Sequence, residues 1–97
     1  MIAVDAMGGD YAPEQIVQGA LLAAKKDIPI VLFGLEPKIK QVLSACEPSW
    51  HQLKITIQNC SEIIEMDEDP SLAVRRKKDS SLVRAVESVK DGRCSAV

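Results

Sequence analysis

A glycine-bearing turn near the amino terminus has the residue types of an anion site. Residues 5–10 are Asp-Ala-Met-Gly-Gly-Asp and lie between a short apolar run and a stretch with helical spacing. Gly8 and Gly9 let backbone N–H groups approach an anion closely, and the following helix contributes the positive end of its dipole. The turn therefore suits a phosphate-bearing ligand. The alternative is a tight turn without a ligand, in which Asp10 caps the helix and Asp5 bonds to the backbone, and the spacing alone favours that alternative.

A cationic turn at residues 75–81 is the second candidate. Its sequence, Arg-Arg-Lys-Lys-Asp-Ser-Ser, combines cations, a carboxylate and two hydroxyls just before a predicted helix. Cations, hydroxyls and a helix amino terminus together bind oxyanions well. A charge run is usually only a solvated helix end. Here, however, two turns that suit anions each precede a helix in one series of strands and helices, so we expect both to face one crevice.

Other combinations of residues are weaker indications of a functional site. Asp5 and Asp10 could hold Mg²⁺ for phosphoryl transfer or phosphatase chemistry, but two carboxylates in a glycine turn are not a specific metal motif. His51 is the only histidine, and we interpret it as a surface residue, because no Ser-His-Asp or Cys-His set can be assembled around it. The acidic run 62–69 lacks the spacing of a calcium loop, and the dinucleotide and P-loop fingerprints are absent. We therefore predict no metal site and no cofactor.

Short apolar runs predict the strands that must position these turns. They cover residues 2–4, 28–33 and 53–57, and a fourth run begins at residue 94. Helical stretches separate them, and this alternation predicts a parallel sheet with right-handed crossovers. The fold class expected is therefore α/β, a three-layer, mostly parallel sheet with helices on both faces.

Amphipathic spacing predicts the helices of this arrangement. One helix begins at Pro13, another at Pro37, a short one after Asp69, and a last one is capped by Asp79, Ser80 or Ser81 and ends near Gly92. The apolar residues expected on their buried faces are Ile16, Val17, Ala20, Leu21 and Ala24, then Ile39, Val42, Leu43 and Cys46, and finally Leu82, Ala85, Val86 and Val89.

Composition bounds the class of protein. Hydrophobic residues make up 46% of the chain and charged residues 27%, as in soluble globular domains. No apolar run approaches the roughly 20 residues of a membrane span, and the start lacks the basic region of a signal peptide, so we expect a cytoplasmic protein. A net charge of −2 without interleaved aromatic residues excludes a nucleic-acid footprint. The odd number of cysteines argues against a disulfide framework and for small buried side chains.

Four segments of the chain resemble those of a known enzyme family. They are residues 2–13, the Gly19-Ala20 step in the first helix, residues 63–67 and residues 73–81. They occur in the same order along the whole chain, and the first and last are long and unusual. The sequence therefore resembles the amino-terminal part of the bacterial phosphate acyltransferases of fatty acid and phospholipid synthesis.

The resemblance implies transfer of a fatty acyl group from acyl carrier protein to inorganic phosphate, which gives acyl phosphate. It also implies a fold similar to that of isocitrate and isopropylmalate dehydrogenases, a homodimer, and at most peripheral association with a membrane. Family chains continue past residue 97 into a glycine- and asparagine-rich motif. Residues 1–97 are thus expected to be the amino-terminal part of one larger α/β catalytic domain and inactive alone. An inert interaction module is the alternative outside enzyme chemistry.

The expected reaction assigns roles to both turns. Phosphate is a weak nucleophile towards a thioester, so the enzyme must hold it near the carbonyl carbon and stabilise the oxyanion that forms. No covalent acyl-enzyme is needed. Catalytic roles are predicted for Lys78, Asp79 and Asp5. Contacts to phosphate or substrate are predicted for Gly8, Gly9, Asp10, Arg76, Ser80 and Ser81.

Overall fold

Three parallel strands form the centre of the protein. The computed structural model describes residues 1–8, 11–65 and 67–97. Strand β2 pairs with β1 on one side and β3 on the other, with Ala3 opposite Val31 and Val31 opposite Thr56. The strands are β1 (Ile2–Asp5), β2 (Ile30–Gly34) and β3 (Ile55–Asn59).

Helices connect the strands and cover both faces of the sheet. In the described chain they are α1 (Glu14–Lys25), α2 (Glu36–Cys46), α3 (Pro70–Arg76) and α4 (Ser81–Lys90), with a 3₁₀ turn at Trp50–Gln52. Two of the predicted starts are confirmed, because Pro37 lies in the first turn of α2 and the Asp69 side chain caps α3. Of the three caps considered for the last helix, Ser80 is the one observed.

The core has two parts, one on each side of the sheet. Helices α1 and α2 pack on one face, where Val17, Leu32 and Leu43 are buried in a single cluster. Helix α4 packs on the opposite face, where Ala85 joins Phe33 in a second cluster. The predicted α/β class is therefore confirmed, with a parallel sheet between two helical layers.

The apolar run that begins at residue 94 lies beside β1. Ala96 forms a parallel bridge with Ile2, and the Ala3 N–H donates to the Ala96 carbonyl at 2.8 Å. The Ser95 N–H donates to the Met1 carbonyl at 2.9 Å. Strand β1 is thus hydrogen-bonded on both sides, to β2 and to residues 94–97.

The buried face of α4 differs from the one predicted by the sequence. Ala85 is buried and Val89 partly so, as expected, but Leu82 and Val86 are exposed. The buried side of the helix is made instead of Ser81, Ala85 and Ser88. The prediction was wrong because hydrophobicity alone placed the large residues inward, whereas small side chains let the helix lie close to the sheet at Ala3.

The outer side of α4 is consequently apolar. Leu82, Val83 and Val86 line a groove together with Val74 of α3. Ser88 is accommodated on the inner side because its hydroxyl donates to the Ala85 carbonyl at 2.6 Å. A buried hydroxyl that satisfies its hydrogen bond within its own helix costs little.

The other two long helices follow their predicted patterns more closely. Val17, Ala20, Leu21 and Ala24 of α1 are buried, as are Ile39 and Leu43 of α2. Cys60 and Cys94 are buried as predicted, but the prediction was wrong for Cys46, which is exposed. Cys46 is the last residue of α2, where the helix extends beyond the core.

Candidate active site

The carboxyl ends of the strands place the two candidate turns at one edge of the sheet. Because the strands are parallel, Asp5, Gly34 and Asn59 all end at that edge. The chain leaving each strand stays bonded to its neighbour. The Ala6 N–H donates to the Phe33 carbonyl at 2.9 Å, and the Cys60 N–H donates to the Gly34 carbonyl at 2.8 Å.

The first turn is organised by the carboxylate of Asp5. One of its oxygens accepts a hydrogen bond from the Met7 N–H at 3.1 Å, and the Met7 side chain is buried. A Cβ atom on Gly8 would lie 3.2 Å from the other carboxylate oxygen, so the missing side chain lets Asp5 lie against the turn. Gly9 and Asp10, both predicted to contact phosphate, lie outside the described residues.

The second turn is tied to the loop that follows β3. Glu62 and Ser80 form a parallel bridge, in which the Glu62 N–H donates to the Asp79 carbonyl and the Ser81 N–H donates to the Glu62 carbonyl, both at 3.2 Å. The Asp79 N–H donates to the Glu62 carboxylate at 3.2 Å. We call residues 61–62 and 79–81 the clamp.

Asp79 supplies the side-chain bonds of the clamp. One carboxylate oxygen accepts from the Ser61 N–H at 2.9 Å and from the Ser61 hydroxyl, and the other accepts from Arg84 Nε at 2.7 Å. The Ser61 bonds, followed by Arg84, lower the pKa of Asp79 to about 2. A carboxylate so acidic, with both oxygens bonded, is a poor general base near neutral pH. The predicted catalytic role of Asp79 stays a prediction, and its geometry favours positioning.

The two serines at the start of α4 are buried. Ser80 is 0% exposed, and its hydroxyl accepts from the Val83 N–H at 3.3 Å as the helix cap. Ser81 is 2% exposed. Their predicted role as phosphate donors therefore stays a prediction, and it requires the first turn of α4 to open towards the ligand.

The cations of the second turn have different surroundings. Lys77 Nζ donates to the Ile63 carbonyl at 2.7 Å and forms an ion pair with Glu68, which lowers the pKa of that carboxyl. Lys78 is exposed and has no hydrogen bond or ion pair within residues 1–8, 11–65 and 67–97. Arg76 is exposed on the last turn of α3 and lines a shallow cleft with Lys77 and Glu68. Lys78 is thus an exposed cation that directly precedes the clamp.

Cys60 follows β3 directly, and its thiol is buried at the carboxyl edge of the sheet. Burial, then the nearby Asp79 carboxylate and, more weakly, Asp5 raise the pKa of its thiol to about 11. Asp5 ends β1 and Glu62 lies shortly after β3, so the described part of the first turn and the clamp lie at that edge. That both turns face one crevice stays a prediction.

Sequence reasoning missed Ser61, Glu62 and Arg84. Ser61 and Glu62 belong to a loop without periodicity, and only the tertiary fold brings them to the second turn. Arg84 is five residues after Asp79, a spacing that helix pairing rules do not single out. No local sequence pattern identifies any of the three.

The described residues contain neither a cluster of metal ligands nor a membrane-spanning helix. They contain no group of three or more histidine, cysteine, aspartate or glutamate side chains that could hold a metal ion. In the same residues, no helix has the length and apolar character needed to cross a bilayer.

Comparison with known proteins decides the family. The model of the family described as "Fatty acid synthesis protein" matches residues 1–97, which is the whole chain. The chain belongs to this family. Family members similar to it include proteins named phosphate acyltransferase from Anaeromyxobacter sp. (strain Fw109-5), 48% identical over 96 residues, and from Streptococcus suis (strain 05ZYH33), 49% identical over 98 residues. The resemblance inferred from the sequence is thereby confirmed.

The alignments include nearly all of this chain but only a small part of each relative. The alignments include 99% of the chain but 26% of the Anaeromyxobacter protein and 28% of the Streptococcus protein. The phosphate acyltransferase of Ligilactobacillus salivarius, 46% identical, is likewise covered over 28% of its length. The chain spans about a quarter of the length of these relatives.

Proposed function

We propose that the complete protein transfers a fatty acyl group from acyl carrier protein to inorganic phosphate. The observation that carries the proposal is the match of all 97 residues to the family, with similar proteins named phosphate acyltransferase. Acyl carrier protein as the donor is the finer part of the proposal. It is supported by the kinship with fatty acid synthesis proteins and is tested below.

The chemistry assigns the exposed cation to phosphate. One phosphate oxygen attacks the carbonyl carbon of the thioester, negative charge develops on the carbonyl oxygen, and the carrier thiolate leaves as the acyl phosphate forms. Lys78 holds the phosphate by charge, and the backbone at Gly8 approaches it from the first turn. Fixing a weak nucleophile in this way supplies much of the catalysis that such a reaction needs.

We extend the proposal to the whole molecule. Residues 1–97 form the amino-terminal part of one larger α/β catalytic domain, similar in fold to isocitrate and isopropylmalate dehydrogenases, and the complete protein is a homodimer. The parallel sheet with helices on both faces supports this fold. The three free cysteines suit a reducing compartment, which supports a cytoplasmic enzyme.

The reaction is tested with the complete protein. Acyl phosphate, trapped with hydroxylamine as the hydroxamate, should form only when both inorganic phosphate and acyl carrier protein thioester are supplied. Activity should persist in the presence of a chelator. Loss of activity on chelation would favour the alternative of metal-dependent phosphoryl transfer, and no acyl phosphate at all would refute the proposal.

A substitution tests the role of Lys78. Lys78→Ala should raise the KM for phosphate about 10- to 100-fold, since a charge-assisted contact contributes about 1.5–3 kcal/mol. Thermal unfolding should change little, because Lys78 is exposed. Lys26→Ala, at the opposite edge of the sheet, is the matched control and should keep the wild-type KM. An unchanged KM in Lys78→Ala would count against the assignment.

A further inference from the structure

We propose that Arg84 is a positioning residue of the phosphate site, holding the cationic turn in place through Asp79. This inference rests on the proposed function and deepens it. It concerns a residue that neither turn contains, since Arg84 lies in the second turn of α4. Arg84 acts on the site through Asp79 and does not itself need to touch substrate.

Arg84 has a fixed place on α4. Its Nε donates to Asp79 at 2.7 Å, and its NH1 group lies 3.9 Å from a carboxylate oxygen of Glu87. The guanidinium therefore lies near two acidic side chains. Guanidinium groups keep their charge at all relevant pH values and hold a planar geometry, which suits such a role.

Asp79 connects Arg84 to the loop that follows β3. The oxygen that does not contact Arg84 accepts two hydrogen bonds from Ser61. Arg84, Asp79 and Ser61 thus form a continuous connection from α4 to the end of β3. Without Arg84, Asp79 would keep its bonds to Ser61 but lose its side-chain anchor on α4.

Lys78 lies within the segment that this connection immobilises. Asp79 follows it, and Lys77 before it is bonded to Ile63 and Glu68. The neighbours of Lys78 are therefore held, whereas its own side chain has no bond among the residues described. Loosening this segment should weaken phosphate binding, because binding must then also order the loop that carries Lys78.

A double-mutant cycle in the complete protein tests the inference. Initial rates of acyl phosphate formation are measured against inorganic phosphate for wild type, Lys78→Ala, Arg84→Ala and the double variant. Arg84→Ala should raise the KM for phosphate about tenfold, with kcat changed less than about threefold. In the Lys78→Ala background it should add less than about twofold, because residues that act through one another are not additive.

A control and a substitute variant accompany the cycle. Arg93→Ala removes a similar surface pair, Arg93 with Asp91 at 3.2 Å, and should leave the KM unchanged. Arg84→Lys keeps the charge and should restore part of the wild-type KM. If Arg84→Ala does not fold, Arg84→Lys replaces it in the cycle, with a smaller shift and the same expected lack of additivity.

The outcomes separate this inference from the proposed function. An unchanged KM in Arg84→Ala, or effects of the two substitutions that multiply, would overturn the inference while Lys78 keeps its role. An unchanged KM in Lys78→Ala would overturn both the assignment of Lys78 and the inference. No phosphate-dependent activity in the wild-type protein would refute the proposed function itself.

Discussion

At the scale of single residues, Asp79 combines strong bonding with partial exposure. Its side chain is 36% exposed, yet it accepts three hydrogen bonds, two of them from a residue 18 positions earlier. Isolated surface ion pairs contribute little to stability, whereas a carboxylate that also accepts backbone and hydroxyl hydrogen bonds is held more firmly. Asp79 therefore defines the shape of the second turn.

The depressed pKa of Asp79 predicts a pH dependence of stability. Its pKa is about 2 in the folded chain, below the roughly 3.9 of an unfolded aspartate. The stabilisation is therefore fully present above the unfolded value and is lost as the pH falls through the folded value. Asp79→Asn should lower the urea unfolding midpoint at pH 7 and reduce its fall between pH 4 and pH 2.

A matched substitution completes this test. Asp91→Asn removes an exposed carboxylate that is paired with Arg93, and it should retain the wild-type fall of the midpoint with acid. If Asp79→Asn and wild type lost stability in parallel between pH 4 and pH 2, the bonds from Ser61 and Arg84 would not be stabilising Asp79.

At the scale of elements, the small side chains on the buried face of α4 make the helix sensitive to added side-chain volume. Ala85 is 0% exposed and packs in the cluster that contains Ala3 and Phe33. Ala85→Leu should destabilise the fold by about 1–3 kcal/mol through overpacking. Ala45→Leu in α2 is the control, because Ala45 is exposed, and it should change the unfolding free energy by less than about 0.5 kcal/mol. If Ala85→Leu and Ala45→Leu changed the unfolding free energy equally in chemical denaturation, this would contradict the packing of the Ala85 side of α4 against the sheet.

Gly34 links the end of β2 to the first turn. A Cβ atom there would lie 2.7 Å from Met7 Cγ and 2.9 Å from Ile39 Cδ1, both in buried side chains. Gly34→Ala should therefore cost about 1–3 kcal/mol. Gly19→Ala, within α1 and with no atom within 4 Å of its added Cβ, should instead stabilise by about 0.5–1 kcal/mol. The midpoint temperature of thermal unfolding should fall for Gly34→Ala and rise for Gly19→Ala.

The elements themselves were largely predictable from the sequence. Hydrophobic spacing identified the buried sides of α1 and α2, because their large residues do face the core. It failed for α4, where Leu82 and Val86 obey helical spacing but point away from the sheet. Spacing gives the separation of like residues on a helix, whereas the surface opposite decides which side turns inward.

At the scale of the whole molecule, β1 occupies an internal position. Its neighbours are β2 and the segment at residues 94–97, which the last crossover returns to the other side of β1. Ser95→Pro removes the N–H that bonds to Met1 and should cost about 1 kcal/mol or more. Hydrogen exchange at the Ala3 amide, which bonds to Ala96, should become faster.

Ser95→Ala separates the backbone from the side chain in this test. It keeps the N–H and removes only the hydroxyl, which is 3.2 Å from the Met1 carbonyl. It should leave exchange at Ala3 near the wild-type rate. Slow exchange at Ala3 in Ser95→Pro would mean that residues 94–97 do not protect β1.

The location of the candidate site was predictable, but its internal bonding was not. Parallel strands bring their carboxyl ends together, so the sequence order of strands and helices was enough to place Asp5 and Asp79 at one edge. The bonds from Ser61 and Arg84 to Asp79 depend on a loop conformation and a helix rotation that no local pattern encodes. The loop conformation and the helix rotation also explain why Asp79 is bonded, whereas the Lys78 side chain has no bond among the described residues.

The clamp has a consequence for how this region tolerates change in length. Residues 63–78, which include α3, leave the clamp at Glu62 and return to it at Asp79, so the two ends of this excursion are hydrogen-bonded neighbours. The entropy of closing a loop rises only slowly with its length. Insertions or deletions inside the excursion should therefore leave the sheet and α4 in register.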